Sequence, residues 1–128
     1  MIISPLEYDH IATINSKLPT FDIYSIPSLT TGFYCETNLI LKFSELDFNG
    51  HGLIVLQGAF KWSTALTSGT TYSVTSGALH NRIPERTPRI WTNKGHIDID
   101  SADGILKFVP LSNLVQYDSV FISLPFWY

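Results

Sequence analysis

Short runs of β-type residues, each closed by a turn signal, recur along most of this chain and leave little room for other secondary structure. Strand-like runs occupy residues 21–26, 32–43, 53–62, 71–74, 89–92, 96–100, 105–109 and 119–124. Between them stand Asn49-Gly50-His51-Gly52, Thr67-Ser68-Gly69-Thr70, Ser76-Gly77, Asn93-Lys94-Gly95 and Asp103-Gly104. These residues favour turns because Gly reaches positive φ cheaply and Asn, Asp and Ser hydrogen-bond their own backbone. The clearest unit is a hairpin: Ile97 and Ile99 alternate with His96, Asp98 and Asp100, Asp103-Gly104 turns the chain, and residues 105–109 return. Pro84, Pro88, Pro110 and Pro125 fall at strand ends or between strands, where a missing N–H does little harm. Helical periodicity is absent apart from a weak signal over residues 6–18. The expected fold is therefore all-β: an antiparallel sandwich or barrel of about eight strands, jelly-roll-like or Greek-key.

A chain of 128 residues is one domain by size. Residues 1–28 are less patterned and read as a connecting segment plus an edge strand, with residues 29–128 forming the main body. Only 15% of residues are charged and 45% are hydrophobic, so the chain buries a core rather than staying disordered. Several strands are apolar on both faces. Leu53, Val55 and Ala59 lie on one side of their strand, with Ile54, Leu56, Phe60 and Trp62 on the other. Val120, Ile122 and Leu124 face one way and Phe121 the other. A monomeric antiparallel sandwich normally alternates hydrophobic-in with polar-out. Two-faced strands predict that the second face meets another subunit.

The net charge of −3 and the lack of a Lys/Arg cluster argue against nucleic acid as a partner. No apolar run approaches the roughly 18 residues of a membrane span, so no membrane insertion is expected. The start of the chain shows no basic region followed by an apolar one of the kind that marks a secretory signal. Cys35, the single cysteine, has no intrachain partner and reads as a small buried hydrophobe.

Asp98-x-Asp100-x-x-Asp103-Gly104 invites a calcium reading, but an EF-type loop would need an oxygen ligand where Ala102 stands and a carboxylate where Val109 stands. A polar strand face entering an Asp-Gly hairpin explains it better. His10, His51, His80 and His96 lack close metal-ligand spacing. No Gly-x-Ser-x-Gly elbow is present, and the carboxylates show no pairing expected of a glycosidase. No cofactor, metal or catalytic activity is expected.

Saccharide binding asks for less: flat aromatic faces against pyranose C–H groups, and Asp, Asn, Arg or His for the hydroxyls. Loops near Trp62, His80–Arg86 and Trp91–Asn93 concentrate these types. Trp62, His80, Asn81, Arg82, Arg86, Trp91 and Asn93 are the candidate saccharide-binding residues, with the C-terminal Phe126-Trp127-Tyr128 cluster next in line. Against each stands the plainer reading, since a tryptophan in an all-β domain is more often core or interface than ligand platform.

The order of elements also resembles the C-terminal head domain of receptor-binding proteins from tailed phages of Gram-positive bacteria. Leu79…Arg86-Thr87-Pro88 stands for that family's Leu-Pro-x-Gly-x-Arg-Pro, with Thr87 inserted between Arg and Pro. Gly95-His96-Ile97-Asp98-Ile99 through Asp103-Gly104-Ile105 matches its Gly-x-Ile-x-Ile-x-x-Asp-Gly-x-Ile, and residues 120–128 match its aromatic terminal strand. With residues 52–60 taken as the family's Gly-Leu-Ile-Val strand, the likeness covers about the last two thirds of the chain. The resemblance implies a tail-fibre or baseplate head in the virion, acting outside the cell. It further implies a homotrimer, contacts with other phage tail proteins, host cell-wall saccharide as ligand, a largely structural role for the Arg-Pro corner, and a shoulder or stalk ahead of the head. The alternatives are a structural virion module (baseplate, fibre-tip or capsid decoration) that only holds neighbouring chains, and a glycan hydrolase.

Overall fold

A computed structural model describes residues 20–25, 28–36, 39–49, 51–80, 83–84 and 86–128. In chain order the strands are β1 (Thr20–Ser25), β2 (Phe33–Tyr34), β3 (Lys42–Phe48), β4 (His51–Trp62), β5 (Tyr72–Ser73), β6 (Arg89–Trp91), β7 (Gly95–Ile99), β8 (Leu106–Pro110) and β9 (Ser119–Trp127). No helix occurs among the described residues. The expected helical signal over residues 6–18 lies outside them.

Two antiparallel sheets pack face to face as a sandwich, not as a closed barrel. In the first sheet β9 pairs one edge of β4 from Leu53 to Lys61, while β3 and then β2 take the other edge. β1 closes the far side on β3. The second sheet has the order β5-β8-β7-β6. Three consecutive strands there form a meander and the preceding one lies beside the last, which is a Greek-key arrangement.

Alternation explains the core. Ile54, Leu56, Phe60 and Trp62 of β4, together with Val120, Ile122, Leu124 and Phe126 of β9, are buried against Ile97, Ile99, Leu106 and Phe108 of the second sheet. Trp62 stacks on Phe108 with centroids 5.7 Å apart, Phe60 meets Phe108 edge-on at 5.6 Å, and Trp62 Nε1–H donates to Val115 O at 2.8 Å. The indole thus keeps its one polar group satisfied at 0% exposure.

Two expected strands and one expected turn differ. The run 32–43 is not continuous. The chain leaves the sheet after Tyr34, Leu39 O accepts from Ala59 N at 3.1 Å, and β3 begins at Lys42. β2 and β3 occupy the same edge of β4, so the connection passes over Gly58, whose φ of +138° and missing side chain admit it. A Cβ there would stand 2.8 Å from Ile40 O and Leu41 Cα. Cys35 follows β2 and is half-buried against the core rather than fully enclosed. β9 runs on through Pro125 to Trp127 instead of ending at residue 124. Gly52 and Tyr128 exchange backbone bonds, so every second pair is bonded and Val55–Pro125 falls on a non-bonded pair. The missing proline N–H therefore costs the ladder nothing. The third difference is the Asp103-Gly104 hairpin, which forms with a longer loop than a two-residue turn. Asp100 N donates to Ile105 O, Gly104 N donates to Asp100 O, and Gly104 takes φ +71°.

Candidate functional site

The β6–β7 hairpin is built by a two-residue turn at Asn93-Lys94. Thr92 N donates to Gly95 O at 2.9 Å, and Thr92 Oγ1 accepts from Lys94 N and Gly95 N while donating to Gly95 O. Lys94 Nζ reaches across the sandwich to Asp118 Oδ1 at 2.6 Å and to Ser119 O, tying the turn to the start of β9. This register places Trp91 opposite His96 and Arg89 opposite Asp98. All four lie on the outer face, because Ile90, Ile97 and Ile99 point inward.

The result is an exposed aromatic platform beside a hydrogen-bonding array. Trp91 is 64% exposed, and its ring meets that of His96 at 4.9 Å and 62°. Arg89 Nε and Nη2 donate in a fork to the two carboxylate oxygens of Asp98 at 2.8 and 2.9 Å. His96 Nδ1 lies 3.3 Å from Asp98 Oδ1. The Asp98 carboxylate is thereby the common partner that orients both neighbours, and its hydrogen bond with Arg89 raises the guanidinium pKa further. Asn93 is exposed at the turn next to Trp91. Farther along the same face Lys107 Nζ donates to Asp100 Oδ2 at 2.6 Å and to Asp103 Oδ2 at 3.0 Å, so an ammonium occupies the place between those two carboxylates.

A concavity of about 310 Å³ lies at the other end of β6, lined by Arg86, Thr87, Pro88, Pro125, Phe126 and Trp127. Arg86 is exposed and Trp127 is 67% exposed. Thr87 and Ser101 bond through their hydroxyls at 3.1 Å, which fixes the Arg86–Pro88 corner to the β7–β8 loop.

The sequence candidates are not brought together as one site. Trp91 and Asn93 share the platform, and Arg86 lines the separate groove with Trp127. Trp62 is a correction: at 0% exposure it is a core residue and has no face to offer a ligand. His80 is also turned inward, with its side chain 9% exposed, Nε2 3.2 Å from Glu45 Oε2 and its ring edge-on to Phe43 at 4.9 Å. Asn81 and Arg82 lie outside the described residues. Arg89, His96 and Asp98 did not figure among the candidates, although the turn at Asn93-Lys94 pairs them by counting outward from it. Among the described residues no group of three or more His, Cys, Asp or Glu is placed to hold a metal ion, and no helix is long and apolar enough to cross a membrane.

The architecture is that of an antiparallel β-sandwich presenting aromatic and polar side chains on one outer face. No protein-family model matches the chain, and no curated protein or solved structure was found to match it.

Proposed function

We propose that this chain is a non-enzymatic saccharide-binding head. The observation that supports the reading most strongly is Trp91, a large ring held two-thirds in solvent on a face whose neighbours are Arg89, His96 and Asp98. A singly exposed ring is ordinary on a protein surface, and it is the row of hydrogen-bonding side chains beside Trp91 that supports a ligand-facing role. A pyranose laid on the indole would find donors in Arg89 and acceptors in Asp98 within the adjacent row. The acidic side chains support a binding rather than a hydrolytic role. Asp98 is held by Arg89, Asp100 and Asp103 by Lys107, Asp118 by Lys94 and Glu36 by Lys61, so these carboxylates serve ion pairs.

The reading extends to a head of a phage tail fibre or baseplate, a homotrimer that would bind host cell-wall saccharide and other tail proteins. That setting rests on the resemblance of the sequence. Weak sites of about millimolar to micromolar affinity would be raised by avidity when heads are repeated. Binding of the fluorescently labelled chain to host cells and purified cell-wall polysaccharide, with the glycan then analysed for cleavage, tests the proposal. Saturable binding that Trp91→Ala removes, with intact glycan, is the expected result. Unchanged binding by Trp91→Ala overturns the site, and shortened glycan overturns the non-enzymatic reading. A purely structural virion module is the second reading, favoured by the apolar outer face of the other sheet. It predicts no glycan binding at all.

A further inference from the structure

The outer face of the first sheet is interrupted by a hollow of about 450 Å³ beside Gly58. Its base is polar. Lys42 and Gln57 are direct cross-strand partners on β3 and β4, and Ser44 stands two residues along on the same side of β3. Its walls are aliphatic: Ile23 of β1, which pairs with Ser44, and Leu39 and Ile40 of the crossing between β2 and β3. Ile23 and Ile40 are 63% and 43% exposed, so they present apolar surface to the hollow rather than to the core.

The crossing that makes one wall is fixed in place. Leu41 is fully buried, Leu39 O accepts from Ala59 N at 3.1 Å, and the backbone packs on Gly58 too closely to admit a Cβ. The hollow is therefore formed before anything enters it. Apolar walls around a few converging polar groups are the anatomy of a small-molecule site, and the volume falls within the usual range of about 300–1,000 Å³.

The polar groups are also uncommitted. Lys61, Lys94 and Lys107 each hold a carboxylate at 2.6 Å. Among the described residues the side chains of Lys42, Ser44 and Gln57 have no ion-pair or hydrogen-bond partner. We propose that this hollow binds a small polyhydroxylated anion, with Lys42 receiving its carboxylate or phosphate group, Ser44 and Gln57 its hydroxyls, and Ile23 and Ile40 its C–H surface. An ammonium is a point charge that suits either anionic group. Ser44 and Gln57 each offer both a donor and an acceptor, as a hydroxyl requires. The hollow lies on the sheet opposite to Trp91, and the inference does not rest on the saccharide reading.

Titration of the isotope-labelled chain with glucuronate, glycerol phosphate and neutral glucose, followed by amide chemical shifts, tests it. Saturable shifts centred on residues 42, 44, 57 and 58 with at least one anion, and none there with glucose, are expected. The anion that responds tells carboxylate from phosphate. Affinity should be about millimolar and should fall as NaCl is raised, because the ammonium is exposed. Lys42→Met should weaken binding about tenfold or more, the loss of a hydrogen bond to a charged group. Gln57→Leu should weaken it less. Both residues are exposed, and a folding defect in one variant leaves the other to decide. No saturable shift with either anion up to about 50 mM, well above a millimolar Kd, overturns the proposal. So does an equal response to glucose, or unchanged binding by the folded variants.

Discussion

The phenol of Tyr128, the last residue of the chain, donates to Glu45 Oε1 at 2.6 Å, while Glu45 Oε2 faces His80 Nε2 at 3.2 Å. Glu45 sits on the inward side of β3 at only 7% exposure, so its carboxylate depends on these partners. Gly52 makes room for the contact, since a Cβ there would lie 2.7 Å from the Tyr128 hydroxyl and 2.1 Å from Leu46 O. The phenol pKa is pushed far above its ordinary value of 10.0, first by burial and then by the bond to Glu45.

A raised folded-state pKa means that the neutral phenol stabilises the fold. That contribution is complete below pH 10 and is lost as the pH rises above it. Tyr128→Phe should cost about 1.5–3 kcal/mol near neutrality, the range for a hydrogen bond to a charged group. Urea denaturation at pH 8 and pH 11 should show the gap between wild type and Tyr128→Phe narrowing at the higher pH. A gap that stays constant would assign the cost to packing alone.

The two tryptophans near the candidate loops should part company. Trp62→Ala removes the indole stacked on Phe108 and should cost about 3–5 kcal/mol, enough to unfold much of a marginally stable domain. Trp91→Ala changes an exposed ring, and its melting temperature should stay within a few degrees of wild type while glycan binding is lost. Differential scanning calorimetry run beside the binding assay separates these outcomes.

Gly58 and Gly69 both have positive φ, +138° and +76°, but differ in surroundings. A Cβ at Gly69 meets nothing within 4 Å, whereas one at Gly58 meets backbone of the 39–41 crossing at 2.8 Å. Gly69→Ala should cost only the left-handed backbone penalty, about 1–2 kcal/mol. Gly58→Ala should cost clearly more, because backbone rather than a flexible side chain must shift. Equal melting temperatures for the two variants would refute the proposed role of the crossing.

Acid should weaken the fold through the lysine pairs. Lys107 holds the Asp100 carboxylate below its ordinary value of 3.8, and Lys94 does the same for Asp118. Depressed pKa values give stability that is present above pH 4 and is lost as the pH falls below it. Because these groups are solvent-accessible, the effect should be small and should shrink in salt. Lys94→Met is the more informative variant, since that side chain joins the two sheets. Its melting temperature should depend less steeply on pH between 4 and 2 than that of wild type.

The strand-and-turn spacing was enough to read the all-β class, most strands and the division of β4 and β9 into two faces, though not which face turns inward. Those features are local: side chains alternate with period two, and Gly, Asn and Asp mark reversals wherever they fall. The two-faced character of β4 was equally plain from Leu53, Val55, Ile54 and Leu56. The break between β2 and β3 was not, because nothing in residues 32–43 discloses that two strands must share one edge of β4. The length of β9 was hidden for a related reason, since Pro125 is harmless only on a non-bonded pair and that depends on the register with Val55.

The candidate residues divide in the same way. Sequence alone established that tryptophans, arginines and histidines gather in residues 62–96, and that the chain has too few charges to cover every surface. It could not distinguish Trp62 from Trp91, because both are tryptophans at strand ends, and exposure follows from which sheet lies over each ring. Tertiary structure decided that distinction. It also set Arg89 and Asp98 beside the exposed indole and carried Tyr128 back to Glu45, 83 residues away. Such contacts depend on how two sheets are laid against each other, and local chain chemistry does not record that arrangement.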